Sequence, residues 1–180
     1  MAVREMTPPA LAPAALNALK HGRRMTLAGD DALLAGLLRS AMALCEAFTG
    51  QTLLARDFEE VLPVQRDWQR LARMPVIAIT GVGGIPAEGA EFVLPVDAYA
   101  IDIDGDGFGG VRLRRPGSAG RIRVAYRAGM TEEWTMLPEA LREGVLLQAA
   151  HLYAEADGPA SAPPAAVAAL WRPCRRMRLA

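Results

Sequence analysis

The sequence predicts an α+β fold, in which helices at the N- and C-terminal parts flank a central antiparallel β-rich segment and an extended C-terminal arm closes the chain. Three observations carry this expectation. Apolar residues recur at helical spacing over about residues 31–49 and 138–157. Between 52 and 128 the pattern changes to short alternating runs broken by Gly, Pro and Asp. Beyond residue 157 a Pro/Ala/Ser stretch gives way to arginines.

Residues 1–12, with Pro8, Pro9 and nearby Pro13, read as a flexible extended arm, and one domain is expected over 13–157. A short helix over 13–22 ends near Gly22. Asp30 and Asp31 then supply an N-cap and a first-turn acid for a helix over 31–49. Its stripe is Leu33, Leu34, Leu37, Leu38, Ala41, Leu44, Cys45 and Phe48, and Gly50 stands where a left-handed cap wants glycine. Strand candidates are Leu53–Val61, Val76–Val82, Glu91–Leu94, Tyr99–Ile103, Val111–Leu113 and Arg121–Arg127. In the last two, Val111, Leu113, Ile122, Val124 and Tyr126 alternate with Arg112, Arg114, Arg121, Arg123 and Arg127 or a small residue. Pro138 and Glu139 open the helix over 138–157, which Asp157-Gly158-Pro159 ends. Residues 158–180 are a linker and arm, with a turn or two of helix from Ala165 to Trp171.

The 180 residues are 52% hydrophobic and 22% charged, a globular composition. Formal net charge is zero, which argues against affinity for nucleic acid through global attraction. Lys20 is the only Lys among 20 basic residues. Cys45 and Cys174 lack the spacing of a zinc site or a disulfide framework and fit a reducing compartment. No signal peptide is evident, and no stretch approaches the ~18 uninterrupted apolar residues of a membrane span.

Motifs that would carry chemistry fail on inspection. Asp102-Ile103-Asp104-Gly105-Asp106-Gly107 opens like a calcium loop, but Leu113 stands where the bidentate Glu belongs, so a tight turn between strands is expected. Pro116-Gly117-Ser118-Ala119-Gly120 grazes the hydrolase elbow without its first glycine. Thr80-Gly81-Val82-Gly83-Gly84 reads as a strand end and turn. His21 and His151 have no acid partner in sequence, and Trp68 and Trp134 read as core or loop anchors. No catalytic residue, metal site or cofactor is expected.

Two basic features remain. Arg112, Arg114, Arg121, Arg123 and Arg127 read either as a solvated face paired with acids from elsewhere or as one that lines a channel or meets an acidic neighbour. The tail mixes Trp171, Met177 and Leu179 with Arg172, Arg175, Arg176 and Arg178, a composition suited to a segment that orders on binding. A frayed terminus is the alternative. The helix over 138–157 is apolar beyond one stripe, so Leu146, Leu147, Ala150 and Tyr153 are candidates for burial against a neighbouring subunit.

The order of parts is similar to the head–tail connector (adaptor) family of long-tailed phages, prophages and gene transfer agents. The residues that carry the resemblance are Glu46-Ala47-Phe48-Thr49-Gly50-Gln51, Met74-Pro75-Val76, Ile122-Arg123-Val124-Ala125-Tyr126-Arg127-Ala128-Gly129-Met130 and Ala150-His151-Leu152-Tyr153, followed by the Arg-rich terminus. The resemblance spans roughly residues 13–179. It implies a non-enzymatic subunit of a dodecameric ring beneath the portal of a DNA-filled head, assembled in the bacterial cytoplasm and resident at the head–tail junction. It further implies that Trp171, Arg172, Arg175, Arg176, Met177, Arg178 and Leu179 clasp the portal protein. The next neck protein or a tail terminator would meet the far side, and DNA would cross the lumen without sequence-specific contacts. No membrane partner is implied. The competing reading is a small nucleic-acid-binding module that uses the arginine face.

Overall fold

The computed structural model describes residues 2–9, 11, 13–22, 31–154 and 164–176. The expected cap at Asp30, the helix end at 155–157 with Asp157-Gly158-Pro159, the linker to 163, and Met177, Arg178 and Leu179 lie outside the described residues. The chain divides into two compact units, one of Met1–Pro8 with Ala55–Met130 and one of Pro9–Leu54 with Thr131–Ala180.

The first unit holds the strands. They are β1 Ala2–Glu5, β2 Arg56–Pro63, β3 Gln69–Arg70, β4 Val76–Pro86, β5 Phe92–Val93, β6 Tyr99–Ile103, β7 Gly109–Leu113 and β8 Ala119–Ala128. They form a five-stranded sheet in the order β1-β2-β8-β4-β5 and a three-stranded sheet in the order β3-β7-β6. Every ladder is antiparallel, as the alternating patterns predict. β8 is bonded on both sides, and its period of two puts Ile122, Val124, Tyr126 and Ala128 inward. Val111 and Leu113 of β7 join them with Phe58, Leu62 and Val82 in one core.

Three strands depart from expectation for physical reasons. Residues 2–5 are extended, but as an edge strand in register with β2, from Ala2↔Val61 to Glu5↔Phe58. Arg56 points inward at 6% exposure and needs a counter-charge, which the Glu5 carboxylate supplies at 2.9 Å. β4 runs through the glycine run, where a turn was expected. Gly84 is bare because the Phe92 ring lies on it: a Cβ there would stand 2.5 Å from Phe92 Cζ. β3 was not anticipated at all, since two residues between loops leave no period to read.

The second unit holds the helices α1 Pro13–Gly22, α2 Asp31–Thr49, α3 Glu139–Ala154 and α4 Ala165–Trp171, the last followed by a 3-10 turn over Arg172–Cys174. α2 packs along α3, and α3 also meets α4. The expected cap at Gly50 is present, with φ +73° and its N–H donating to the Glu46 carbonyl at 2.9 Å. The buried face of α2 is turned from the expected stripe. Leu34, Leu38, Ala41, Met42, Cys45, Glu46 and Thr49 are buried, whereas Leu33 is 51% and Leu44 36% exposed, because both lie on the side of the helix away from Met42 and Glu46.

By length and mean hydropathy α2 could cross a membrane, although Arg39 and Glu46 interrupt its apolar residues, in line with the expectation that no uninterrupted apolar stretch is present. It is the core helix of this unit. Its Glu46 is buried and accepts the Leu53 N–H at 2.9 Å.

Candidate interaction surfaces

The root of the C-terminal segment is built into the helical unit. Trp171 is fully buried, so it anchors the tail instead of reaching outward. The sequence makes room for it at Gly144 of α3, where a Cβ would stand 2.2 Å from the indole Nε1. Phe48, near the end of α2, meets the Trp171 ring at 5.8 Å between centroids. Two hydrogen bonds then fasten the turn to the end of α2: Arg176 N–H to the Thr49 carbonyl at 2.8 Å, and Gln51 Nε2 to the Cys174 carbonyl at 2.6 Å. Arg175 lies 5.7 Å over the Phe48 ring. Arg172, Arg175 and Arg176 are exposed. The Glu46–Gln51 phrase is therefore the seat of the tail.

Cys45 is buried beside this seat, and burial pushes its thiol pKa far up, with Glu46 and then Cys174 adding to the effect. On α3, Leu141, Gly144, Val145, Gln148 and Ala149 face inward, while Leu146, Leu147, Ala150 and Tyr153 are half-buried. These four keep apolar surface outside the unit's own core.

The five arginines do not form one face. Arg112 lies in the three-stranded sheet and Arg114 follows it, whereas Arg121, Arg123 and Arg127 belong to β8 of the five-stranded sheet. Sequence spacing could not reveal this, because both strands alternate in the same way. Arg123 bridges Glu59 at 2.7 Å and Glu91 at 2.6 Å, hydrogen bonds that raise its pKa further. Arg127 meets Asp57 at 3.2 Å. Arg112 stacks 5.1 Å over Trp68.

Trp68 itself is 47% exposed, not a core anchor, while Trp134 is buried as expected. Within the sheet core, Tyr126 Oη donates to the buried Glu60 carboxylate at 3.1 Å and accepts the Arg73 N–H at 3.3 Å. Burial, then the Glu60 charge, pushes the phenol pKa up.

The acidic loop is a turn. The Asp104 carboxylate accepts the N–H groups of Asp106 at 3.0 Å and Phe108 at 2.9 Å. Gly107 takes φ +80° where a Cβ would stand 2.5 Å from Pro75 Cβ. Ser118 lies in the turn closed by the Ala119 N–H on the Pro116 carbonyl. Among the described residues no group of three or more His, Cys, Asp and Glu is placed to hold a metal ion.

Sequence reading missed two exposed features of the sheet unit. Val93 and Val96 are 85% and 82% exposed. A signal was present, since the run Phe92-Val93-Leu94-Pro95-Val96 is apolar on both faces. A cleft of ≈ 750 Å³ lies beside Trp68, with Arg70 and Arg121 in its wall. Its parts are too far apart in sequence to have been read together.

No protein-family model matches the chain, and no curated protein matches it. Solved structures do. A chain in the neck of an empty gene transfer agent particle, computed with C6 symmetry, is 28% identical, with a TM-score of 0.81 over 100% of this chain and 98% of its own. A chain in the neck of the native particle, computed with C12 symmetry, gives 28% identity and a TM-score of 0.77 at the same coverage. A chain in the virion of the native particle gives 28% and 0.75, again over 100% and 98%. The likeness thus takes in both units and the terminal segments, and the resemblance read from the sequence is met by chains of gene transfer agent particles.

Proposed function

We propose that this chain, of the head–tail connector type found in gene transfer agents, is a structural subunit of a particle neck. In this reading it forms a ring beneath the portal and joins the DNA-filled head to the tail. The observation that carries the proposal is the end-to-end match with neck chains at 28% identity, over 100% of this chain and 98% of theirs. The C6 and C12 symmetries of those necks support a homo-oligomeric ring. The half-buried apolar side chains Leu146, Leu147, Ala150 and Tyr153 suit a contact between copies.

The portal-binding segment begins after the Trp171 anchor. Arg172, Arg175 and Arg176 present charged forks at its root, and Met177, Arg178 and Leu179 continue it. The reading as a nucleic-acid module has less support, because Arg123 and Arg127 already carry acidic partners and Arg112 and Arg114 belong to the other sheet. DNA passing through the lumen needs no base-reading element.

Deletion of residues 177–180 leaves Trp171 and its hydrogen-bonded seat intact. The truncated chain should keep the wild-type melting temperature and lose co-sedimentation with portal protein. Attachment at wild-type affinity would refute the arm.

A further inference from the structure

The outer edges of the three-stranded sheet, β3 and β6, pair with no further strand among the described residues, and they differ in character. At one edge, β3 carries Arg70 beside the cleft, whose wall includes Trp68, Gln69, Gln65 and Arg121 and no acidic residue. At the other edge, β6 ends in the acidic turn, where Asp102, Asp104 and Asp106 are exposed with Ile101 and Ile103 at 46% and 38% exposure. The register aligns the two edges. Arg70 and Asp102 both pair with Gly110 of β7, so they occupy one row on one face of the sheet. Gly110 is bare where the Trp68 ring lies, 3.3 Å from the position of a Cβ.

A contact between unlike surfaces is what closes a ring, because each copy must offer both halves of it. Resting on the ring reading above, we infer that the β6 edge and its acidic turn dock into the Trp68–Arg70–Arg121 cleft of the next copy. Asp102, on the face of the sheet that carries Arg70 and the Trp68 ring, meets the arginines as a charge-assisted pair. Ile101 and Ile103, opposite Val111 and Gly109 on the other face, add exposed apolar area to the docking edge. The outer side of β6 pairs with no strand among the described residues, so backbone groups are also available to the neighbour. Of the five arginines for which the sequence left an acidic neighbour open, Arg121 alone lines this cleft, and its acidic neighbour is then a second copy of this chain.

Charge reversal tests this on the full chain, by sedimentation velocity with and without portal protein. The turn variant is Asp102→Lys with Asp106→Lys, and the cleft variant is Arg70→Glu with Arg121→Glu, each checked for folding by circular dichroism. Wild type should form ring-sized species, and each variant alone should stay monomeric. An equimolar mixture should recover the wild-type species, because basic turns then face acidic clefts around an alternating ring.

Variants that assemble like wild type overturn the edge contact and leave the ring standing, as does a mixture that fails to recover. Rings that form with the cleft variant but no longer bind the next neck protein would assign the cleft to that protein, overturning the contact. Wild type that stays monomeric even on portal protein would overturn both readings.

Discussion

In the sheet unit, Arg56 and Glu60 reach the core face and are held by partners distant in sequence: Glu5 for the first, Tyr126 and the Ala72 N–H for the second. In the helical unit, both amide atoms of Gln148 and the Trp171 indole N–H are enclosed with no hydrogen-bond partner among the described residues. In the sheet unit, Glu60 Oε1 and Arg123 Nε share that state only as single atoms of groups bonded elsewhere. The difference teaches how each unit is specified. Buried polar pairs select one register among the strands, since a slip would strand a charge in apolar surroundings. The helices are selected by shape, through a glycine on α3 that admits one indole.

The largest expected effect breaks the shape-specified side. Trp171→Ala should cost about 3–5 kcal/mol, the range for emptying a large buried aromatic site. Gly144→Ala gains up to ~1 kcal/mol in helix propensity but sets a methyl against a buried ring, and overpacking of about 1–3 kcal/mol should win. Urea unfolding followed by tryptophan fluorescence reads both. A Gly144→Ala chain more stable than wild type would show that the indole can shift.

On the sheet side, Tyr126→Phe should cost about 1–3 kcal/mol, because Glu60 loses a donor and the Arg73 N–H an acceptor. A loss below ~0.5 kcal/mol in the urea midpoint would mean that packing, not polar pairing, holds that unit.

High pH separates the units by their raised groups. The Cys45 thiol and the Tyr126 phenol have folded-state pKa values above their ordinary 9.0 and 10.0. Each contribution is therefore fully present below the ordinary value and is lost as pH rises beyond it, because the unfolded state releases its proton first. The helical unit should weaken from about pH 9 and the sheet unit from about pH 10. Cys45→Ala should remove the earlier decline, and urea midpoints between pH 7 and 11 would reveal its persistence.

The smallest effect tests the arginines of β8. Arg121→Ala, at an exposed position, should change stability by less than ~0.5 kcal/mol. Arg123→Ala should lose up to ~1 kcal/mol, a loss that shrinks with added salt, since both its acidic partners are partly exposed. Equal losses would erase the distinction between Arg123, with two acidic partners, and Arg121, with none among the described residues.

Much of the fold was legible locally. The α2 stripe with Gly50, Pro138 ahead of α3, and the alternation in β7 and β8 each lie within a few residues, where period and cap chemistry decide the outcome. β2 was less legible, because its inward positions include Arg56 and Glu60, which read as outward until Glu5 and Tyr126 are placed beside them. The half-burial of Leu146, Leu147, Ala150 and Tyr153 on α3 was readable from excess apolarity. Trp171 was not, since its burial depends on a missing side chain 27 positions away, at Gly144.

By itself the amino-acid order determined the class of fold, the positions of the helices and the turn at Asp104, because periodicity, glycine and backbone-seeking carboxylates act over a turn or two. Only the tertiary structure decided which arginines share a sheet, that the tail is rooted on the end of α2, and that Arg70 and Asp102 stand in one row across β7. Those are relations between segments far apart along the chain, set by strand pairing and by which side chain finds space, and no local pattern encodes them.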